Sequence, residues 1–163
     1  MMDKLDQHAP RIADMIHRVA QDTRQQEKRI AVIFGKKEIP KVNEGTLAIY
    51  FDYLKQHLEF PCHLTGIEDR GCFAWEERYR FNPDREEEYE ERKKQEPSYK
   101  DTYELLNFED EYDTYSGLSV KVKRVLGRKR FVLPLVDLKA TEQQSQNYQL
   151  LHDYVVWFVN WRR

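Results

Sequence analysis

The segment Leu118-Ser119-Val120-Lys121-Val122-Lys123 decides the fold of this chain. Apolar and polar side chains alternate along it, which is the period of a strand with one face buried and the other in water. Gly127 follows in a basic turn, and the apolar run Phe131 to Leu135 comes next. Two such strands on either side of a glycine-containing turn predict a β-hairpin.

Helices are predicted on both sides of this hairpin. Asn43 is a good N-cap for a helix over about 44–58, and a C-terminal helix is predicted over 147–161. The apolar face of that helix comprises Leu150, Leu151, Tyr154, Val155, Phe158 and Trp161. A helix over 10–33 is predicted to bury one face through Ile12, Met15, Ile16 and Val19. Its last residues, 30–34, are β-branched or aromatic and fit a short strand equally well.

The middle of the chain is less regular. His63 to Ile67 has strand character, and Phe73 to Phe81 alternates imperfectly, which favours a further strand. Asp84 to Glu96 is a charge run predicted to form a solvated helix capped by Asp84, and Tyr99 to Phe108 a short helical turn.

This order of elements does not alternate between strand and helix, which disfavours a doubly wound parallel sheet. The fold class predicted is α+β: a small curved antiparallel sheet, or an SH3-like partial barrel, flanked by N-terminal and C-terminal helices. Residues 1–44 are predicted to form a helical extension. Residues 45–163 are predicted to form the α+β domain, with a charged helical insertion at about 82–97.

Composition narrows the function classes. Of 163 residues, 40% are hydrophobic and 34% charged, and the formal net charge is -2. That charge excludes strong bulk attraction to nucleic acid or anionic membranes, so any such contact must come from a local patch. No apolar stretch approaches the roughly 20 residues that span a bilayer, and the N-terminus lacks the pattern of a signal peptide. We therefore expect a cytoplasmic protein without a nucleic-acid or membrane partner; oligomeric state is left open.

Catalytic motifs are absent from the sequence. It contains no glycine-rich phosphate loop, no nucleophile elbow and no HExxH pair. Cys62 and Cys72 fit neither a redox pair nor a zinc ribbon. Cys62 and His63 are neighbours on a predicted strand, so their side chains point to opposite faces. The sequence predicts a binding protein that is not an enzyme.

The acidic segment 107–117 is the strongest candidate for a site. Glu109, Glu111 and Asp113 alternate in it, with Asp110 between them. Carboxylates at alternate positions can turn inward together, and hard cations such as Ca²⁺ take six to eight oxygen ligands. The segment is not an EF-hand, because the required glycine and terminal glutamate are missing. Two interpretations remain, a solvated acidic loop and a cation site.

A second acidic turn, Glu68-Asp69, would add ligands if the sheet brings it near this segment.

The basic hairpin residues between 121 and 130 could contact phosphates or pair with the nearby acids.

Several segments together resemble a known family. Residues 50–66 are similar to a helix running into an LxFP motif, and the acidic loop, SVKVKR, FVLPLVDL and NYQLLHDYVVWFVN follow in turn. This succession resembles the non-EF-hand calcium-binding family typified by a small cyanobacterial calcium-binding protein, over about residues 47–161. Residues 1–44 fall outside the likeness, and Phe73 to Pro97 looks like an insertion.

The resemblance implies a compact α+β domain that binds Ca²⁺ through surface carboxylates, as a buffer or a sensor. It implies ligands at Asp110, Glu111 and Asp113, with Asp137 of the PLVDL segment as a secondary candidate. The alternative is a metal-independent protein–protein interaction module with Trp75, Tyr79 and Trp161 exposed as anchors.

Overall fold

A computed structural model describes the backbone of residues 3–68 and 70–162, with the side chains of residues 3–11 and 19 excepted. The chain forms two compact units, residues 1–40 and 41–163. Unit 1 contains helix α1 (Asp3–Ile33), which begins ahead of Pro10 and continues through residues 30–33. The strand alternative for its end is therefore wrong. No helix among the described residues has both the length and the apolar character needed to cross a bilayer.

The prediction that α1 buries one face is wrong. Ile12, Met15 and Ile16 are all exposed, because unit 1 has no second helix or strand among its described residues to cover them. The side chain of Val19, the fourth predicted member of this face, lies outside the described residues.

Helix α2 (Glu44–His57) begins at the predicted residue. The Asn43 side chain accepts a hydrogen bond from the Thr46 backbone N–H at 2.9 Å, and the Thr46 hydroxyl accepts one from the Asn43 N–H at 2.8 Å. This reciprocal capping box satisfies two N–H groups that a helix start otherwise leaves without partners. The buried face of α2 comprises Thr46, Leu47, Tyr50, Phe51 and Leu54.

The strands form an antiparallel sheet. They are β1 (His63–Gly66), β2 (Thr102–Phe108), β3 (Ser119–Arg124), β4 (Arg130–Pro134) and β5 (Leu138–Ala140). Their order across the sheet is β4-β3-β2-β1-β5. The predicted hairpin is confirmed, because Val120 pairs with Leu133 and Val122 with Phe131.

The sheet is curved, although it does not close. Its edge strands β4 and β5 are joined only by the 3-10 turn Leu135–Asp137. Four strand spacings of about 4.8 Å would separate the edges of a flat sheet by about 19 Å, whereas this short link reaches only about 14 Å. The sheet must therefore bend toward closure, and the predicted α+β class with a small curved antiparallel sheet is confirmed.

Two predictions for the chain between β1 and the end of β2 are wrong. Residues Gly71–Tyr79 form a 3-10 helix instead of a strand; its buried residues Phe73, Glu76 and Tyr79 recur every three positions, the period of that helix. Residues 102–108 form strand β2 instead of a helical turn.

The charged helix α3 (Glu86–Gln95) buries none of its residues. It follows a 3-10 turn, Pro83–Arg85, so Asp84 lies inside that turn and does not cap α3 as expected.

Helix α4 (Gln146–Asn160) packs beside β5 and contacts α2 through aromatic side chains. Its N-cap is Ser145, whose hydroxyl accepts a hydrogen bond from the Tyr148 N–H at 3.1 Å. The Tyr50 ring lies 5.0 Å from that of Trp157 and 5.3 Å from that of Tyr154, measured between centroids. These fully buried rings form the centre of the core between the two helices.

Candidate functional site

The acidic loop, residues 109–113, is the first half of the connection between β2 and β3. The Glu109 N–H donates to the Ser119 carbonyl at 2.9 Å, which extends the ladder between the two strands by one bond. The Glu109 carboxylate lies 3.7 Å from the Lys121 ammonium on the neighbouring strand. Diagonal cross-strand neighbours of opposite charge attract one another. One predicted ligand of the loop is thus already beside a cation.

Asp113 shapes the second half of the connection. Its Oδ1 accepts hydrogen bonds from the backbone N–H groups of Tyr115 at 2.9 Å and Ser116 at 2.6 Å. Its carbonyl accepts one from the Gly117 N–H at 2.9 Å. This is the local side-chain-to-backbone pattern that aspartate favours in turns. Among the described residues, Oδ2 of Asp113 has no hydrogen-bond donor and is the oxygen left for a ligand.

The core holds both ends of the connection. Gly117 has φ of +71°, and a Cβ built on it would lie 2.5 Å from the Tyr154 hydroxyl oxygen and 2.8 Å from the ring of Phe158. The same Tyr154 hydroxyl accepts a hydrogen bond from the Leu118 N–H at 2.8 Å. On the other side, the Tyr112 ring lies 5.5 Å from that of Phe51 on α2. The connection between β2 and β3 is therefore fixed against both α2 and α4.

Asp110 and Glu111 lie between these anchors. Both are exposed, and within the described part of the chain neither carboxylate has a hydrogen-bond or ion-pair partner. Adjacent carboxylates repel one another, and a cation relieves that repulsion. They are the two predicted ligands most available to an ion.

The second acidic turn is not brought to this loop. Glu68 pairs with Arg80 at 2.6 Å, and it lies beside Tyr99, which precedes the first residue of β2. The acidic loop follows the last residue of β2, so the length of that strand, about 20 Å, separates the two. Asp69 lies outside the described residues.

Asp137 has a structural role in this fold. Its side chain is buried, its Oδ2 accepts a hydrogen bond from the Cys72 N–H at 3.1 Å, and its carbonyl accepts one from Ile67 at 2.8 Å. Burial, together with the nearby Asp137 carboxylate, raises the pKa of the Cys72 thiol. Asp137 therefore joins the turn before β5 to the turn after β1.

The predicted ligands of the acidic loop have the oxygen atoms that Ca²⁺ prefers, but their side chains are not arranged around a common point. Carboxylate oxygens are the donors that this hard cation prefers, and the loop supplies them from Asp110, Glu111, Glu109 and Asp113. Over residues 3–68 and 70–162, no group of three or more His, Cys, Asp or Glu side chains is positioned to hold a metal. The acids of the loop are close in sequence but not gathered around one point.

The aromatic residues of the alternative hypothesis are not exposed anchors. Tyr79 is buried and Trp75 half-buried, with the indole N–H of Trp75 donating to the Pro97 carbonyl at 2.8 Å. Trp161 is also half-buried. The expected exposure of Tyr79 is therefore wrong, and Trp75 and Trp161 are only partly exposed.

Two residues that support the loop have no functional signal in the sequence. The sequence places Lys121 only in a basic hairpin and Tyr154 only on a helix face. Lys121 could have been placed near Glu109 only by recognising residues 102–108 as the strand that pairs with β3. The contact between Tyr154 and Gly117 spans distant parts of the chain and has no local signal.

Comparison with known proteins supports one assignment. A family model described as calcium binding matches residues 81–158, just under half of the chain. The matched segment contains the acidic loop and Asp137, and it excludes Glu68 and Asp69. Neither the curated proteins nor the solved structures gave a match. The resemblance to a non-EF-hand calcium-binding family is thereby confirmed over this segment.

Proposed function

We propose that this chain binds Ca²⁺ through the acidic loop, residues 109–113. The observation that carries the proposal is the pair of exposed, unpartnered carboxylates of Asp110 and Glu111 on an anchored loop inside the segment matched by the calcium-binding family model. Binding, and not catalysis, is the function proposed, since the sequence contains no catalytic motif.

Each acid of the loop has a distinct part in the proposed site. Asp110 and Glu111 supply oxygens that no other described group uses. Asp113 supplies Oδ2, while its Oδ1 holds the turn to Tyr115 and Ser116. Backbone carbonyls and water complete the six to eight oxygens that Ca²⁺ takes.

The ion pair between Lys121 and Glu109 competes with Ca²⁺ binding at the site. For Glu109 to serve as a ligand, its carboxylate must leave or share the Lys121 ammonium at 3.7 Å. A surface ion pair of this kind is worth about 0.2–1 kcal/mol. Exposure of the loop and this competition both weaken binding, so we expect an affinity of roughly micromolar to millimolar strength.

A calorimetric titration tests the proposal. The chelator-stripped full chain is titrated with Ca²⁺ and, separately, with Mg²⁺, and compared with the variant carrying D110N, E111Q and D113N. Asparagine at 113 retains a side-chain oxygen for the turn, so this variant keeps the loop conformation while losing the charge. The matched control carries E86Q, E87Q and E90Q on the solvated helix α3, which removes the same charge elsewhere.

We expect a saturable Ca²⁺ signal in the wild type and in the control, and none in the loop variant. A ligand that binds the native state also stabilises it, so the melting temperature should rise in the same two proteins. Equal Ca²⁺ affinity in the loop variant would refute the assignment of the site. A flat wild-type titration would refute Ca²⁺ binding altogether.

A calcium buffer and a calcium sensor differ in how far the conformational change caused by Ca²⁺ binding extends. The connection between β2 and β3 contacts α2 through Tyr112 of the acidic loop and α4 through Gly117. A sensor should transmit binding to these helices, whereas a buffer should confine the change to the loop.

A further inference from the structure

The tip of the β3–β4 hairpin exposes two apolar side chains. Val125 is 49% exposed and Leu126 is 80% exposed. They lie in the turn that joins the two strands, at the end of β3 away from the acidic loop. Exposed aliphatic residues at the end of a hairpin are available to enter an apolar phase.

The turn holds this pair in a fixed position. The Arg124 N–H donates to the Lys129 carbonyl at 2.7 Å, and the Val125 N–H donates to the Thr102 carbonyl at 2.9 Å. The Arg124 guanidinium donates to the Leu126 carbonyl at 3.0 Å and to the Lys93 carbonyl at the end of α3 at 2.8 Å. The apolar pair is thus presented by an ordered turn.

Cations without an acidic partner surround the pair. Arg128 and Arg130 are exposed, and among the described residues neither has an ion-pair partner. Lys129 donates to the neutral side-chain amide of Gln95 at 2.9 Å. Further along β3, by contrast, Lys121 and Lys123 lie beside carboxylates. The positive charge left without a paired acid on this hairpin is therefore concentrated at its tip.

Arg128 occupies a backbone position that favours glycine. Its φ is +57°, next to Gly127 at +85°. A non-glycine residue in this region is disfavoured by contact between its Cβ and the backbone. Strain at one residue is an observation from which a role for its side chain can be inferred, and here the side chain is an exposed guanidinium.

We propose that this tip, residues 124–130, docks on an anionic bilayer surface. The guanidinium and ammonium groups would contact lipid headgroups, and Leu126 with Val125 would enter the boundary of the acyl chains. A nucleic acid offers the same phosphates but gives an aliphatic pair no apolar layer to enter. This peripheral contact needs no membrane-spanning segment and does not depend on Ca²⁺ binding.

Co-sedimentation of the full chain with vesicles tests the proposal, with a chelator present throughout. One set contains phosphatidylcholine with one-third phosphatidylglycerol, and the other contains phosphatidylcholine alone. The variants are L126S and the double variant R128G/R130S. The matched control is R70S/K139S, which removes two cations near β5, at the opposite edge of the sheet. Glycine at 128 adopts the positive φ without contact between a Cβ and the backbone, so that variant can keep the conformation of the turn.

We expect binding to the anionic vesicles that falls as salt is added, with little on neutral ones. Each cation near an anionic surface contributes about a fivefold change in affinity, so R128G/R130S should weaken binding by about 25-fold. L126S should weaken it by about tenfold or more, and R70S/K139S should leave it unchanged. Absence of anionic-vesicle binding would overturn the proposal, as would an equal loss in the control. Binding that is insensitive to L126S but is competed by duplex DNA would replace the bilayer with a nucleic acid.

Discussion

Replacing Gly117 with alanine should destabilise the domain by several kcal/mol and loosen the acidic loop. The added Cβ would lie 2.5 Å from the Tyr154 hydroxyl and 2.8 Å from the Phe158 ring, both on a buried helix face. Alanine at φ of +71° costs about 1–2 kcal/mol, and overpacking a core costs about 1–3 kcal/mol. The sum, about 2–5 kcal/mol, is a large part of the 5–15 kcal/mol typical of a domain.

Gly127→Ala provides the matched control, because it has the same kind of backbone but open space. Its φ is +85°, and the nearest atom to a built Cβ is Arg124 Nη2 at 3.8 Å. We therefore expect G127A to lose only the conformational cost of about 1–2 kcal/mol. Urea unfolding of both variants and the wild type measures the difference. Equal losses in the two variants would refute the claim that the contact with Tyr154 holds the loop.

Three further predictions concern single side chains. Lys121→Gln removes the cation beside Glu109 and should raise the Ca²⁺ affinity measured by calorimetry by up to about fivefold. The control Lys123→Gln should show no change of that size. An unchanged affinity in K121Q would contradict the claim that Lys121 competes with Ca²⁺ for the Glu109 carboxylate. The buried Glu76 carboxylate accepts hydrogen bonds from the Tyr89 and Ser98 hydroxyls and the Tyr99 N–H. Glu76→Ala leaves these three donors without their acceptor and should lower the free energy of unfolding in urea by about 3–5 kcal/mol. The exposed control Glu77→Ala should lower it by about 0.5 kcal/mol or less, and similar losses in the two variants would contradict this. Burial raises the pKa of Cys62 from 9.0 to about 11, so its thiolate is about a hundredfold scarcer at neutral pH, and mass-resolved alkylation should modify it rapidly only in denaturant.

Local patterns predicted the regular elements of the fold. The alternation around Val120 gave the hairpin, and Asn43 marked the first residue of α2 because capping is decided within one turn of chain. Strand β2 was missed because its register shifts between Leu105 and Asn107. That irregularity breaks the alternation by which a strand is recognised.

The candidate site was predictable only where it is continuous in sequence. Residues 109–113 are adjacent in the chain, so their clustering needs no fold. The placement of Glu68 and Asp137 depends on strand register and on the curvature of the sheet, which arise from contacts between distant residues. The exposure of Ile12 on α1 could not be predicted from the sequence either, because a periodic apolar face does not show whether another element covers it.

Residue-resolved amide chemical shifts during a Ca²⁺ titration test the central claim most directly. Binding through the acidic loop should produce saturable shifts that are largest over residues 109–117, with smaller changes at Lys121. The turn at residues 67–72 and helix α3 should remain unshifted at the same ion concentrations. Largest shifts at Glu68 or along α3, or no saturable shift anywhere, would contradict the account.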